Sequence, residues 1–133
     1  MDDVAARILR DYRRIAVVGI SDRPDRDSNR VAAYLQGAGY TVIPVNPNIA
    51  HVLGGPCWPS LGEAPGPIEV VDVFRRSELV PPVVDAAIRV GARAVWMQDG
   101  VVHEAAAARA RAAGLLVVMD RCMMRDHARG IGR

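Results

Sequence analysis

Residues 15–21 read IAVVGIS, and this stretch decides the class of fold. Four apolar residues run directly into Gly19, a pattern typical of a buried strand that ends in a tight turn. The polar segment 22–28, DRPDRDS, follows, and the sequence predicts a helix that begins at Asn29 or Arg30. In open α/β sheets a strand, a glycine turn and a helix in this order present backbone N–H groups to phosphate. The stretch therefore indicates a nucleotide-like phosphate compound as the class of ligand.

The rest of the chain continues this alternation of strand and helix. Short apolar runs predict the strands, and because they are apolar throughout rather than alternating, they indicate a parallel sheet covered on both faces. We therefore predict an α/β fold: a single doubly wound Rossmann-like domain over residues 1–133, with a five-stranded, mainly parallel sheet in the order 3-2-1-4-5. The strands are predicted at 15–19, 41–45, 69–73, 93–97 and 115–119.

Helical periodicity and breaker residues place the remaining elements. Ser77 is predicted to cap the third helix, and Pro44 is predicted to lie near a strand end or at a sheet edge, because proline has no N–H for the ladder. The segment 46–68, rich in Pro and Gly, is predicted to be an ordered loop with at most a short strand or turn. The helices are predicted at 3–13, 30–38, 79–89, 103–113 and 121–128, with Pro81 and Pro82 in the first turn of the third.

The N-terminal helix is amphipathic. Val4, Ile8 and Leu9 share one face at helical spacing. This face either packs on the chain's own sheet or docks a protein partner.

Composition restricts the function classes. The chain has 133 residues, enough for one domain, and half of them are apolar. With 17 basic and 15 acidic residues the formal net charge is +2, which is too balanced to indicate binding to nucleic acid or to a membrane surface. We expect no signal peptide, because the start MDDVAARILRDYRR is charged throughout, and no apolar run approaches about 18 residues. We expect a cytoplasmic protein.

The cysteines and histidines do not indicate a metal centre. Cys57 and Cys122 are too few for a disulfide framework and lack the spacing of a metal site. His51, His103 and His127 are scattered and form no HxxxH or HxH pair. We predict no metal, and both cysteines as small buried or half-buried thiols.

In a parallel sheet of this class the ligand lies beyond the carboxyl ends of the strands. Five segments reach that edge, and all are polar or contain glycine. They are Gly19 to Asn29, Val45 to Asn48, Phe74 to Ser77, Gln98 to Val101, and Asp120 to Cys122.

The first of these segments is the most specific. Gly19 allows a close approach to a ligand, and Ser21 offers a hydroxyl and an N–H. Arg23, Arg26 and Arg30 provide positive charge for phosphate. The alternative is a solvated loop in which these arginines pair with the neighbouring aspartates Asp22, Asp25 and Asp27.

The other segments carry weaker signals. Asn46 offers an amide to a base or sugar, or it forms no more than an Asn-Pro turn. One of the two arginines at 75–76 is expected to face the cleft and the other to meet solvent. Trp96 and Gln98 are two residues apart on a strand, so they point to the same side, with Trp96 expected in the core.

The sequence lacks the marks of a dinucleotide dehydrogenase. A GxGxxG motif starting at Gly19 would need further glycines where Ser21 and Pro24 stand. The acidic residue expected after the second strand is replaced by Asn46. No GxSxG elbow surrounds Ser21, and no nucleophile–base pair is evident, so no catalytic residue is predicted.

Taken together, the segments VGIS, GYTVIPVNP, LGGPCWPSL, VVDVFRR and AVWMQDGVVHEAAAARARAAGLLVVMDRC are familiar. The chain resembles the small single-domain CoA-binding proteins, which are similar in fold to the CoA-binding domain of the succinyl-CoA synthetase α subunit. The resemblance extends from about Ile15 to His127, and no site role follows from it for the tail 125–133, RDHARGIGR. It implies a Rossmann-like domain that holds coenzyme A.

The resemblance also implies where the ligand lies. The phosphates would lie over the glycine turn and the helix start, the adenosine by the end of the second strand, and the rest of the molecule by the third and fourth strands. The loop DRPDRDS departs from the proline and serine stretch common in the family, so the arginine that meets phosphate is not fixed. The implied cofactor-binding residues are Gly19, Ile20, Ser21, Asn29, Arg30, Val45, Asn46, Phe74, Arg75, Gln98 and Gly100.

Three functions follow as hypotheses. The first is a binding module for coenzyme A or an acyl-CoA without catalytic machinery. The second is a subunit that lends its CoA site to a separate acyl-CoA ligase. No histidine of this chain matches the phosphorylated histidine of the larger ligases, so the resemblance does not imply ligase activity for this chain. The third is an enzyme that uses a nucleotide cofactor.

One hypothesis concerns a thiol. Cys122 follows the fifth strand, on the edge where the thiol end of coenzyme A would pass. A mixed disulfide between Cys122 and coenzyme A is therefore considered, with Cys57 as the alternative position.

Overall fold

The protein is described by a computed structural model that covers residues 3–133. Strands and helices alternate along the chain as the apolar runs predicted. The helices are α1 Val4–Asp11, α2 Asp27–Gly37, α3 Val80–Arg89, α4 Glu104–Ala112 and α5 Met123–Ala128. The strands are β1 Arg14–Val18, β2 Thr41–Val45, β3 His51–Val52, β4 Gly55–Pro56, β5 Val70–Val73, β6 Ala94–Met97 and β7 Leu116–Val118.

Five of the strands form one parallel sheet, in the order β2-β1-β5-β6-β7. The predicted class, a single α/β Rossmann-like domain with a five-stranded parallel sheet, is confirmed. The predicted strand order is wrong: counted along the chain the sheet runs 2-1-3-4-5, not 3-2-1-4-5, because β5 pairs with β1 rather than with β2.

The outer edge of β2 explains this order. Trp58 donates its backbone N–H to the carbonyl of Pro44 across 2.9 Å, and Asn46 donates to the carbonyl of Trp58 across 2.9 Å. The chain therefore covers the outer edge of β2 itself. The third strand of the parallel sheet, β5, pairs instead with the free edge of β1, where Glu69 donates to the carbonyl of Arg14. Right-handed crossovers permit either order, so handedness alone does not decide. Pro44 lies on an edge strand, as predicted.

Helices cover both faces of the sheet. Alternate strand residues, among them Val71 and Val73, belong to an apolar cluster with α3 and α4. The intervening residues, among them Val17 and Trp96, belong to a second cluster with α1, α2 and α5. Trp96 is fully buried, which confirms its predicted place in the core.

The apolar face of α1 packs on the chain itself. The Asp3 carboxylate accepts a hydrogen bond from the Ala5 N–H at 2.9 Å and so begins the helix. Ile8 and Leu9 are buried against β7 and α5. The helix is shorter than the predicted 3–13 because Tyr12 is already extended. These residues therefore serve the core rather than a docking surface.

The segment between β2 and β5 holds more structure than the single strand or turn predicted. The strands β3 and β4 form a small antiparallel hairpin whose tip, Leu53 and Gly54, takes positive φ angles. A 3-10 turn at Leu61–Glu63 follows, with Ser60 as its cap.

Two helix starts differ from the prediction. The helix α2 begins at Asp27, earlier than the predicted Asn29 or Arg30. The negative charge of Asp27 in the first turn interacts favourably with the helix dipole. Ser77 does not cap α3: it opens a 3-10 turn, and its hydroxyl accepts the Val102 N–H at 3.0 Å. The two prolines lie in the first turn of α3, as predicted. Within residues 3–133 no helix is long and apolar enough to cross a membrane.

Candidate ligand-binding site

A cleft of about 1340 Å³ opens at the carboxyl ends of the parallel strands. Each of the five segments predicted to reach this edge contributes residues to its wall, and α2 and α5 close its sides. Its position agrees with the rule that ligands of open α/β sheets bind beyond the carboxyl ends of the strands.

Gly19 shapes the floor of the cleft. Its φ angle is +89°, and its N–H donates to the carbonyl of Val45 at 2.9 Å. A Cβ at this position would overlap the carbonyl oxygen of Phe74. The end of β1 is thus held between the ends of β2 and β5, with room for glycine alone.

The glycine loop, residues 19–29, is fixed by side chains that bind its own backbone. The Ser28 hydroxyl accepts the Ser21 N–H at 2.9 Å, and the Asn29 amide donates to the Ser21 carbonyl at 2.9 Å. Directly after β2, the Asn46 amide donates to the Ile20 carbonyl at 2.8 Å. Because these carbonyls are occupied by protein donors, the loop is held in one shape before any ligand arrives.

Most residues that the sequence assigned to the site line this cleft, and three do not. Asn29 lies behind the loop because its amide binds the Ser21 carbonyl. Val45 is buried in the apolar cluster under the cleft, and the N–H of Gly100 donates to the Asp120 carboxylate at 2.7 Å. These three residues support the cleft wall. The predicted residues in the wall are Gly19, Ile20, Ser21, Arg30, Asn46, Phe74, Arg75 and Gln98.

Ion pairs neutralise most of the charge around the cleft. Asp27 pairs with Arg30, and Asp25 pairs with Arg23 at 3.5 Å, so the alternative of paired loop arginines holds for these two. Arg76 pairs with Glu78 at 3.4 Å.

Two arginines in the cleft wall, Arg26 and Arg75, differ from these paired arginines. Within residues 3–133, Arg26 and Arg75 form neither an ion pair nor a side-chain hydrogen bond, and both line the cleft. Arg26 also precedes α2 without a side-chain cap, so no side chain of residues 3–133 occupies the first N–H groups of that helix. These groups give the cleft donors and positive charge that have no partner among residues 3–133.

The sequence missed the contribution of α5. Arg125 forms a two-pronged ion pair with Asp99, with both N–O distances 2.8 Å, and its hydrogen bonds lower the pKa of the Asp99 carboxyl. Tyr34 also lines the cleft, one helical turn beyond Arg30, a spacing that could have indicated it. The tail carried no pattern that would place α5 here.

The segment after β7 is bound to the end of β6. Trp96 donates its indole N–H to the Arg121 carbonyl at 2.8 Å, and Gln98 accepts the Met123 N–H at 3.3 Å. Both side chains therefore point to the same side, as predicted. Cys122, between these two contacts, is buried and lines the cleft.

Cys57 is also buried, as predicted, but it lies outside the wall. Its thiol contacts the carbonyl of Asn46 at 3.8 Å, and burial raises the pKa of this thiol. Among residues 3–133 no group of three or more His, Cys, Asp or Glu side chains is placed to hold a metal ion.

Residues 13–128 match the family model described as a CoA binding domain. The chain belongs to this family, and the resemblance found in the sequence is confirmed.

Three similar proteins illustrate the relationship. The chain is 47% identical over 121 residues to the uncharacterized protein YneT of Bacillus subtilis, covering 91% of this chain and 90% of that protein. A solved hypothetical protein from Pyrococcus horikoshii OT3 shares 46% identity and superimposes with a TM-score of 0.91, covering 94% of this chain and 88% of that one. A stretch of 71 residues, 53% of this chain, is 31% identical to the ADP-forming acetate–CoA ligase I of Archaeoglobus fulgidus, of which it covers 10%.

Proposed function

We propose that the cleft binds coenzyme A or an acyl-CoA and holds it without catalysing a reaction on it. The single observation that carries this proposal is the convergence in one cleft of a preformed glycine loop and two arginines, Arg26 and Arg75, that have no side-chain partner among residues 3–133. Membership of the CoA binding domain family supports coenzyme A over other phosphate compounds.

The phosphates are proposed to lie at the glycine loop. The N-terminus of α2 has no side-chain cap, and its dipole favours an anion. Arg26 and Arg75 then supply charge-assisted hydrogen bonds to the pyrophosphate or the 3′-phosphate. Arg30 is a weaker candidate, because it already binds Asp27 and the Asp25 carbonyl.

The adenosine is proposed to lie by the end of β2. The amide nitrogen of Asn46 donates to Ile20, and its oxygen accepts the Asn48 N–H at 2.8 Å. Asn46 therefore shapes this end of the cleft more than it reads the base. Ile49 adds apolar surface to the wall beside it.

The residues in the cleft wall agree with a protein that binds coenzyme A without catalysing a reaction on it. None of the three histidines lines the cleft. The Ser21 hydroxyl accepts the Arg23 N–H at 3.1 Å and has no base beside it among residues 3–133. General base activation of a nucleophile needs such a neighbour within hydrogen-bond reach.

Calorimetric titration of the purified chain with coenzyme A, dephospho-CoA, NAD and ADP tests this function. We expect coenzyme A to bind more tightly than NAD and ADP, and loss of the 3′-phosphate to weaken binding. Binding of NAD without binding of coenzyme A would contradict the proposal and favour a nucleotide-cofactor enzyme. Equal affinity for coenzyme A and dephospho-CoA would show that the arginines do not read the 3′-phosphate.

A second candidate is a subunit that lends its CoA site to a separate acyl-CoA ligase. The observation in its favour is the stretch similar to an ADP-forming acetate–CoA ligase. ATP-dependent acyl-CoA formation that appears only when another polypeptide is added to this chain would support it. Formation at the same rate without this chain would exclude it.

A further inference from the structure

Cys122 lies three strand positions from the glycine loop, at the other end of the same cleft. The loop follows β1 and Cys122 follows β7, with β5 and β6 between them. Neighbouring strands are about 4.8 Å apart, so the two positions are separated by about 14 Å. A ligand whose phosphates lie at the loop needs a long arm to reach Cys122, and the pantetheine arm of coenzyme A is such an arm, with a thiol at its end.

The position of Cys122 is fixed from both sides. The residue before it is held by the Trp96 indole, and the residue after it by the Gln98 side chain. Cys122 is 6% exposed, and it forms part of the cleft wall. Its thiol is thus screened from bulk solvent, and the cleft gives a ligand access to it.

A second observation in the same wall points to a ligand. Gln98 is 3% exposed and lines the cleft. Its side-chain oxygen accepts the Met123 N–H, whereas its amide nitrogen donates to no acceptor within residues 3–133. This amide N–H is open to the cleft, so a ligand there can accept a hydrogen bond from it, and the amide carbonyls of a pantetheine arm are suitable acceptors next to a thiol.

We propose that Cys122 captures coenzyme A as a mixed disulfide by exchange with a disulfide of coenzyme A. This inference rests on the proposed function, because the phosphates must place the arm. The Cys122 thiol loses its proton, and the thiolate attacks the sulfur of the bound half of the disulfide. One S–S bond forms between Cys122 and coenzyme A, the original S–S bond breaks, and the other half leaves as a thiolate that takes up the proton.

Cys57 provides a matched control in the same chain. Both thiols are buried, but Cys57 lies outside the cleft wall and is bound to the Asn46 carbonyl. Burial raises its pKa and so disfavours the thiolate that exchange requires. The Cys57→Ala variant should react as the wild-type chain does.

The test is intact-mass analysis after incubation of the reduced protein with coenzyme A disulfide, with glutathione disulfide as the comparison. We expect one coenzyme A adduct per chain, located on Cys122 by peptide mapping and absent from Cys122→Ser. Because binding raises the local concentration of the reacting sulfur, the adduct should form at least about tenfold faster than with glutathione disulfide. Peptide mapping of the wild-type chain keeps the test valid should the variant fold poorly.

The outcomes separate this inference from the proposed function. Titration of the wild-type chain with reduced coenzyme A, in the presence of reductant, measures binding alone. Binding without an adduct, an adduct on Cys57, or equal rates with both disulfides would overturn the capture by Cys122 and leave the proposed function standing. No binding of reduced coenzyme A would overturn both.

Discussion

The carbonyl oxygen of Phe74 occupies the place where a Cβ on Gly19 would stand. The two residues follow β1 and β5, which are neighbours in the sheet. The ends of β1 and β5 therefore lie so close together that only glycine fits at position 19. The contact between Gly19 and the Phe74 carbonyl sets the shape of the glycine loop.

Replacing Gly19 with Ala should destabilise the fold and abolish ligand binding. The substitution adds a methyl group in a clash with backbone and forces a non-glycine residue to a φ of +89°. Strain of the φ angle alone costs about 1–3 kcal/mol, and the clash adds to it. Urea unfolding measures the change.

The control for this substitution is Gly39→Ala. Gly39 also has a positive φ, +100°, but nothing lies within 4 Å of its Cβ position. The Gly39→Ala variant should lose only the stability that the strained φ angle costs, and it should still bind the ligand. Equal losses of stability in the two variants would contradict the role assigned to the Phe74 carbonyl.

Arg26 and Arg75, which have no side-chain partner in the described part of the chain, should each contribute to ligand affinity. In Arg26→Gln and Arg75→Gln we expect coenzyme A to bind about tenfold more weakly, equivalent to about 1.4 kcal/mol, because a charge-assisted bond to phosphate is lost. Arg89→Gln, in the last turn of α3 and outside the cleft, is the control. Calorimetry gives the affinities, and a loss in the Arg89 variant as large as in the other two would contradict this assignment.

Asn46 distinguishes this cleft from a dinucleotide site. Asn46→Asp supplies the acid expected beside a ribose diol, but it removes the amide donor that binds the Ile20 carbonyl at 2.8 Å. We expect about tenfold weaker binding of coenzyme A, since the donor's loss leaves a carboxylate against a carbonyl. NAD affinity should not rise, because the glycines of the dinucleotide motif are still missing. A variant that gains NAD binding would show that this one residue had hidden a dinucleotide site.

Asp72 is a buried carboxyl in the middle of the sheet. It is fully buried in β5, between Val17 of β1 and Trp96 of β6, and within residues 3–133 neither of its oxygens has a hydrogen-bond partner. Burial raises the pKa of this carboxyl well above 3.8. The folded chain therefore holds a proton that the unfolded chain releases above pH 3.8, and the free energy of unfolding falls as the pH rises towards the folded-state pKa.

Substitution of Asp72 should remove this pH dependence. Asp72→Asn cannot titrate, so its free energy of unfolding should vary less with pH than that of the wild-type chain. Asp72→Val, which matches the neighbouring strand residues, should be more stable at neutral pH by on the order of 2 kcal/mol, because no unpaired polar group is buried. Urea unfolding from mildly acidic to mildly alkaline pH measures both effects. If the free energy of unfolding changes with pH by the same amount in the wild-type chain and in Asp72→Asn, the argument that Asp72 is buried with a raised pKa is contradicted.

Local signals in the sequence predicted the class of fold and much of the cleft. The apolar runs and the glycine after Val18 report local structure, and parallel strands bring their carboxyl ends to one edge, so the five segments were found without knowledge of the strand order. The order itself depends on the pairing of Trp58 with the edge of β2, a contact that has no periodicity to reveal it.

The other differences between the predicted and the observed structure also arise from tertiary contacts that have no local pattern in the sequence. Ser77 has the residue type of a helix cap, but a tertiary contact with Val102 takes its hydroxyl. Arg125 reaches the cleft because Trp96 and Gln98 hold the chain at the start of α5, and no local pattern in the tail encodes those contacts. Charge pairing also depends on the folded structure, since the sequence has three loop arginines and only their positions in the fold distinguish Arg26 from its paired neighbours Arg23 and Arg30.

The most direct test of the central claim is a nuclear magnetic resonance titration of the isotope-labelled chain with coenzyme A, followed through the backbone amide shifts. The account predicts saturable shifts at the glycine loop, at 46–49, at 74–76, at 98–101 and at the segment from Cys122 into α5, with α3 and the outer face of α4 unaffected. The absence of saturable shifts, or shifts confined to α3 and α4, would contradict it.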